Sequence, residues 1–282
     1  MSSAGSSLRP TRVRVGRAGH EVRLDELTPG DLLTPRLLDR RGRHVRIALV
    51  GHQAMLLAGD RLELHVEVGP GVHVELIEPS GTVAYNARGG RATWSARVDV
   101  GAGGGLTWRS APFIVAGGAD VERDLDVALA DGAVAALRET VVLGRHGEAG
   151  GRLLSRQRVT LGGAPLLVET LDLRDPGMRT LPGLLGPHRV VATAMVLGMS
   201  TETGAGPGTT PLAGPGTLAR ALTGGAHEAD HLLDGTWSAW LSEVAGRFAA
   251  PRPEFRTVVP SRPGGGRPRV AAPAPRTEEE PR

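Results

Sequence analysis

From about residue 43 to residue 198 the chain alternates apolar and polar side chains with a period of two, the mark of strands with one buried and one wet face. Leu62, Leu64, Val66 and Val68 fall on one side of such a run and Glu63, His65 and Glu67 on the other; Gly69-Pro70-Gly71 interrupts it, and Val72, Val74 and Leu76 resume it. The pattern predicts a hairpin in which Val68 pairs with Val72, so that Glu67 faces His73 and His65 faces Glu75. Further strands are predicted near 43–50, 82–86, 92–100, 105–109, 120–129, 133–143, 152–161, 165–173 and 188–198, separated by turns such as Asp131-Gly132 and Gly162-Gly163. Strand follows strand at the spacing of a sandwich, a barrel or a solenoid. Helical periodicity appears only late. Leu218, Ala219 and Leu222, then Trp237, Trp240, Leu241 and Val244, predict about two helices within residues 213–247, the second capped by Asp234 or Thr236, after a Gly-, Pro- and Thr-rich loop over 201–216.

This pattern predicts a mainly β fold with a small C-terminal helical portion: a single domain over residues 13–250 between a disordered arm, 1–12, and a Pro- and Arg-rich disordered tail, 251–282. Hydrophobic residues at 40% suffice for a substantial core, and aromatics at 3% make that core aliphatic. No apolar stretch has the length of a signal peptide or a membrane span, so the expectation is a cytoplasmic protein without a membrane partner.

The charge changes the picture less than the pI of about 10.6 suggests. All 33 basic side chains are Arg, and nothing but a single Tyr titrates between His and Arg, so the formal excess of +3 is neutralised only at extreme pH. Residues 1–23 carry +4, residues 252–282 carry +3 and the body between them −4. Nucleic acid is therefore not expected as a partner, because the positive charge lies in the termini and not on a folded face with aromatics to stack bases. The absence of Lys and Cys excludes a Walker loop, a Schiff-base lysine, a thiolate metal site and a cysteine nucleophile.

His227-Glu228-Ala229-Asp230-His231 fits the H-E-x-x-H pattern of zinc hydrolases, in which two imidazoles one helical turn apart hold the metal and the Glu activates its water. Gly224-Gly225 before it and Asp234-Gly235 after it leave barely two turns, and a third ligand would have to be Glu243, Glu254 or an acid of the tail. A short polar surface segment outweighs a catalytic zinc site here. The predicted hairpin face, with its imidazoles and carboxylates, offers ligands that nickel or zinc accepts, but cross-strand charge pairs explain it more simply. Asp60, Glu139 and Glu169 stand out because they sit in or beside strands that otherwise read as buried. Each either takes the wet face or an Arg partner, such as Arg138 or Arg145, or lines an internal polar passage that favours a cation.

An ordered series then carries a resemblance: Leu56-Leu57-Ala58-Gly59-Asp60-Arg61-Leu62, Glu78-Pro79-Ser80-Gly81-Thr82-Val83-Ala84-Tyr85, Leu106-Thr107-Trp108 with Pro112-Phe113-Ile114, Leu143-Gly144-Arg145-His146-Gly147-Glu148, and Pro165-Leu166-Leu167-Val168-Glu169. In order and spacing it resembles the UreD (UreH) family of urease accessory proteins over about residues 30–200, with an echo near Trp237 and Trp240. The resemblance implies a β-helical, solenoid-like fold with two helices. It implies a non-enzymatic maturation factor that binds the urease apoprotein and the accessory proteins F and G and assists nickel delivery, with no permanently bound cofactor. The oxygen-bearing residues on its motif positions, Asp60, Ser80, Thr82, Glu139, Glu148 and Glu169, are those the resemblance implies for a transient Ni2+ path, and such ligands release a divalent metal more readily than thiolates. The sequence departs from the family where Thr-Thr-Pro-Ala-Ala before Thr-Lys becomes Ile77-Glu78-Pro79-Ser80-Gly81 before Thr82-Val83, and where Val115 stands for a Phe. A zinc hydrolase and a generic β binding module are the alternatives.

Overall fold

The computed structural model describes residues 8–53, 55–202 and 208–248. Its strands are β1 Thr11–Ala18, β2 Glu21–Thr28, β3 Leu33–Arg41, β4 His44–Gly51, β5 Arg61–Val68, β6 His73–Ile77, β7 Thr82–Ala84, β8 Ala92–Val100, β9 Gly105–Arg109, β10 Phe113–Val115, β11 Asp120–Leu129, β12 Val134–Leu143, β13 Arg152–Leu161, β14 Ala164–Asp172, β15 Val190–Leu197, β16 Thr209–Pro211 and β17 Gly216–Thr223. Two helices join them, the four-residue α1 Pro176–Arg179 and the long α2 Ala226–Phe248. The first sheet runs β14-β13-β11-β8-β5-β1-β2 and the second β16-β17-β15-β12-β9-β6-β4-β3. From β4 to β13 the long strands of the chain alternate between these sheets and pair in parallel with their counterparts in the next coil. The short β7 and β10 close a third face by pairing with each other and with the end of β12. This is the coiled, solenoid-like β architecture, flanked by antiparallel strands at both ends.

Why the run at 62–76 is not a hairpin follows from where its strands find partners. β5 pairs with β1 and β8 while β6 pairs with β4 and β9, so Gly69-Pro70-Gly71 is a corner between sheets. Gly71 turns it at φ +65, and Gly101 of the next coil packs so closely on Pro70 that a Cβ there would lie 2.9 Å from the Pro70 nitrogen. Consequently the expected pairs change. Glu67 meets Arg14 at 2.8 Å, His65 meets Arg12, and Glu75 meets Arg46 at 2.7 Å and His44 at 3.4 Å. The outer face of the first sheet carries further pairs, Arg156 with Asp124 and Arg91 with Glu122 among them, which absorb much of the charge of the body. Being exposed, each contributes less than about 1 kcal/mol.

The late segment differs from its helical reading. Leu218, Ala219 and Leu222 lie in β17, paired antiparallel with β15, and a single helix from Ala226 takes in the H-E-x-x-H segment, Gly235 and both Trp237 and Trp240. β15 and β12, strands as predicted, are buried on both faces because α2 covers the side turned away from the core. On one face of β12, Ala135, Leu137, Val141 and Leu143 join the core between the sheets; on the other, Val134 and Ala136, with Ala192, Ala194, Ala219 and Ala221, let α2 seat Ala229, Leu233, Trp237, Trp240 and Val244 close to the strands. At the amino end, Thr11 is buried and already in β1, so the order of the chain begins ahead of residue 13.

Trp240 is fully buried in this helix-to-sheet contact, whereas Leu232 is 61% exposed. Trp240→Ala is expected to lower the unfolding free energy by about 3–5 kcal/mol, and Leu232→Ala by less than about 0.5 kcal/mol, as read from urea denaturation curves.

Candidate functional site

Between the two sheets an otherwise aliphatic interior is crossed by polar side chains. In β11, Val121, Leu125, Val127 and Leu129 face the core and Arg123 stands in the same phase; in β12, Glu139 sits between Leu137 and Val141; in β13, Ser155 and Gln157 sit between Leu153 and Val159. The register aligns them. Glu139 lies beside Thr193, which lies beside Arg220, and Gln157 lies beside Glu169. One residue beyond the pairs Ile77 with Arg109 and Arg109 with Arg138, Glu78 and Ser110 extend the same row. We call this row the seam.

Its bonds fall into three groups along the row. Arg123 contacts Glu139 at 2.6 Å, and the Gln157 amide donates to the other Glu139 oxygen. Arg220 holds Glu169 through two bonds of 2.7 Å and donates to Thr193 at 3.2 Å. At the other end the Trp108 indole N–H donates to Glu78 at 3.0 Å, and the Arg123 guanidinium lies 4.4 Å over the Trp94 ring. Burial pushes the Glu78 carboxyl up to about 7; the Trp108 N–H, the Arg123 charge and the Ala111 N–H pull it down, and Glu139 pushes it further up. Arg123 Nε and Gln157 Oε1 are buried without a hydrogen-bond partner among the described residues, and the 2.6 Å contact of Arg123 is an ion pair without hydrogen-bond alignment. Voids of about 10 Å³ flank the pair, one bounded by Trp108, Leu125 and Met195, the other by Glu78, Thr82 and Phe113; each has room for about one water-sized body. A larger pocket of about 190 Å³ reaches Glu78 from the side of α2, past Arg138, Thr140 and Asp230. A groove of about 1180 Å³ runs elsewhere along the turns, by Arg14, Gly69 and Gly101, and no residue of the seam lines it.

Of the six residues of the implied metal path, the structure brings Thr82 and Glu139 to one void and sets Glu169 at the far end of the seam. The other three lie elsewhere. Asp60 accepts from the Leu57 N–H at 2.7 Å and closes its own turn, and Ser80 is exposed at the bend before β7. Glu148 accepts from the Arg145 side chain and from the N–H groups of Arg145 and Gly117, which hold its carboxyl down at about 2. The Arg partner of Glu139 is Arg123; Arg138 points to the opposite face, to Asp230 at 2.7 Å and Asp234 at 2.6 Å, and Arg145 pairs with Glu148. Sequence reading missed Arg123, Gln157 and Arg220, although Arg123 stands in the apolar phase of β11, a signal that a charge there is buried. Among the described residues no three His, Asp or Glu side chains converge as metal ligands. Within the H-E-x-x-H segment Glu228 accepts from the Gly224 N–H at 3.2 Å, Glu243 accepts from the Glu202 N–H, and Glu254 lies outside the described residues.

The chain as a whole has relatives among known proteins. The model of the family described as UreD urease accessory protein matches residues 17–256. A urease accessory protein UreD 1 from Streptomyces griseus subsp. griseus is 49% identical over 235 residues, 83% of this chain and 92% of that protein. Urease accessory proteins UreD from Parafrankia sp. and Frankia alni are 32% and 37% identical, over 83% and 74% of this chain and 88% and 75% of theirs.

A second buried titratable group balances Glu78. His73 bonds Thr107 at 2.9 Å and stacks on Phe248 at 4.6 Å, and burial, with the nearby His44, holds its imidazole down at about 4. A His depressed in the fold costs stability as pH falls from 6.5 towards 4, because only the unfolded chain takes up the proton; a carboxyl raised in the fold costs stability as pH rises from 4.5 towards 7, because only the unfolded chain gives it up. Each effect is on the order of 3 kcal/mol. They oppose each other, so the chain is expected to have a nearly level stability between pH 4.5 and 6.5. Glu78→Gln is expected to lose stability on acidification over this window and His73→Gln on alkalinisation, in urea midpoints taken at several pH values. Level profiles in both variants would contradict the assignment.

Proposed function

The chain belongs to the UreD family of urease accessory proteins, and on that footing we propose that it is a cytoplasmic scaffold that binds the urease apoprotein and the accessory proteins F and G and assists delivery of nickel to the urease active site. The observation that carries this reading is the family match along the length of the β domain. It is an accessory protein and not a catalyst. Nickel is cargo here, and no permanently bound cofactor is part of the reading.

The chemistry of the seam supports a passing cation. Glu78, Glu139 and Glu169 face Arg123 and Arg220, so with Glu78 ionised the row carries one more negative charge than its arginines neutralise. A divalent ion entering beside Glu78 and Thr82 would exchange with Arg123 for the Glu139 carboxylate, and the arginine charge would then press the ion onward. Oxygen ligands suit such a transfer, since they hold nickel more loosely than imidazole or thiolate. Asp60 and Ser80 are left to turn formation and the exposed bend, and Glu148 to its Arg145 pair; the path we propose runs through Glu78, Thr82, Glu139 and Glu169.

When a tagged chain is co-expressed with urease subunits and the other accessory proteins, apo-urease and the F protein are expected to co-purify with it. Urease matured with Glu78→Gln is expected to contain less nickel while co-purification persists. Absence of both partners from the purified chain would overturn the scaffold reading, and full nickel content with Glu78→Gln would overturn the path.

A further inference from the structure

His227 and His231 are left without a task by the reading above. Both are exposed, and they lie one turn apart in α2, a spacing that puts their Cβ atoms about 5–6 Å apart on one face. The acids around them are engaged. Glu228 turns back to Gly224, and Asp230 and Asp234 hold the buried Arg138. His227 folds its ring over Gly225, where a Cβ would come within 2.8 Å of it, and an exposed rotamer change about χ1 turns that ring towards His231. The neighbouring Asp230 lines the pocket that leads past Arg138 and Thr140 to Glu78.

We propose that His227 and His231 form a two-imidazole surface site for a borderline divalent cation such as Ni2+, water completing its coordination, on the helix segment whose Asp230 lines the pocket that reaches Glu78. Two imidazoles at this spacing chelate one metal ion, and borderline ions prefer imidazole nitrogen to carboxylate oxygen. Lacking a third protein ligand and open to water, the site differs from a hydrolase zinc centre: it collects the ion and lets it go. Asp230 and Asp234 add negative potential one turn round the helix, which Arg138 only partly cancels. The inference rests on the nickel-delivery reading for its role, but not for the existence of the site.

The full-length chain without urease, titrated with NiCl2 in a calorimeter, is expected to show one equivalent of binding that weakens roughly tenfold or more in His227→Ala and in His231→Ala, and at least as much in the double variant, because each single variant keeps one imidazole without its chelate partner and the double variant keeps none. His20→Ala, which removes an exposed imidazole far along the chain in the β1–β2 turn, is expected to leave it intact. Circular dichroism should show α2 unchanged in every variant, since both positions are exposed. Unaltered nickel binding in the double variant would overturn the site. If the site binds as expected but Glu78→Gln leaves the nickel content of urease unchanged, the site stands and the delivery path through the seam falls.

Discussion

Arg123 and Glu139 face each other at 2.6 Å between two layers of aliphatic side chains, and the interior of this protein is organised around them. Removing both charges from water costs several kcal/mol for each ion, which their attraction returns only when the remaining donors and acceptors find partners. Trp94 covers the guanidinium, Gln157 supports the carboxylate, and Arg220 with Glu169 continues the row as a second, half-exposed pair. Even so, Arg123 Nε and Gln157 Oε1 find no hydrogen-bond partner among the described residues. For such buried pairs an aliphatic replacement is often neutral or stabilising, so stability alone does not account for the seam.

A second buried arginine shows how differently the chain treats charge on the other side of the same sheet. Arg138, adjacent to Glu139, faces α2 and is 2% exposed, but its partners Asp230 and Asp234 reach solvent. Its charge is settled at a surface, where desolvation of the acids is small. The pair also fixes the first turns of α2 over the strands, leaving the two imidazoles of that segment to the outside. Glycine at 235 weakens the helix by about 1 kcal/mol relative to alanine, and burial of Leu233, Trp237 and Trp240 on either side of it offsets this.

Strands with one wet face were legible in the sequence almost residue by residue: β8 and β11 fall where alternation and the turn residues put them. What alternation cannot reveal is the partner of a strand, so the corner at Gly69-Pro70-Gly71 read as a hairpin although its two arms serve different sheets. β17 read as helix because Leu218, Ala219, Ala221 and Leu222 are apolar on both sides of the strand, so its sequence does not alternate although its burial does. Glu139 and Glu169 were visible as carboxylates out of place in apolar runs. Arg123 left the same signal, a charge in the apolar phase of β11 that went unread, whereas Gln157 did not, since an uncharged polar side chain between apolar neighbours looks the same whether it reaches water or spans the core. Glu78 entered only as a departure from a family pattern, and its importance comes from burial against Trp108, which no local spacing encodes.

Joint replacement of the central pair separates use from stability most directly. In Arg123→Met with Glu139→Leu the buried ions give way to apolar groups of similar size, which for such pairs is neutral or stabilising by about 1–4 kcal/mol. The account predicts an unfolding free energy at least equal to that of the unaltered chain, together with a fall in the nickel content of urease matured in its presence. A chain that is less stable yet loads urease with its full nickel would contradict it.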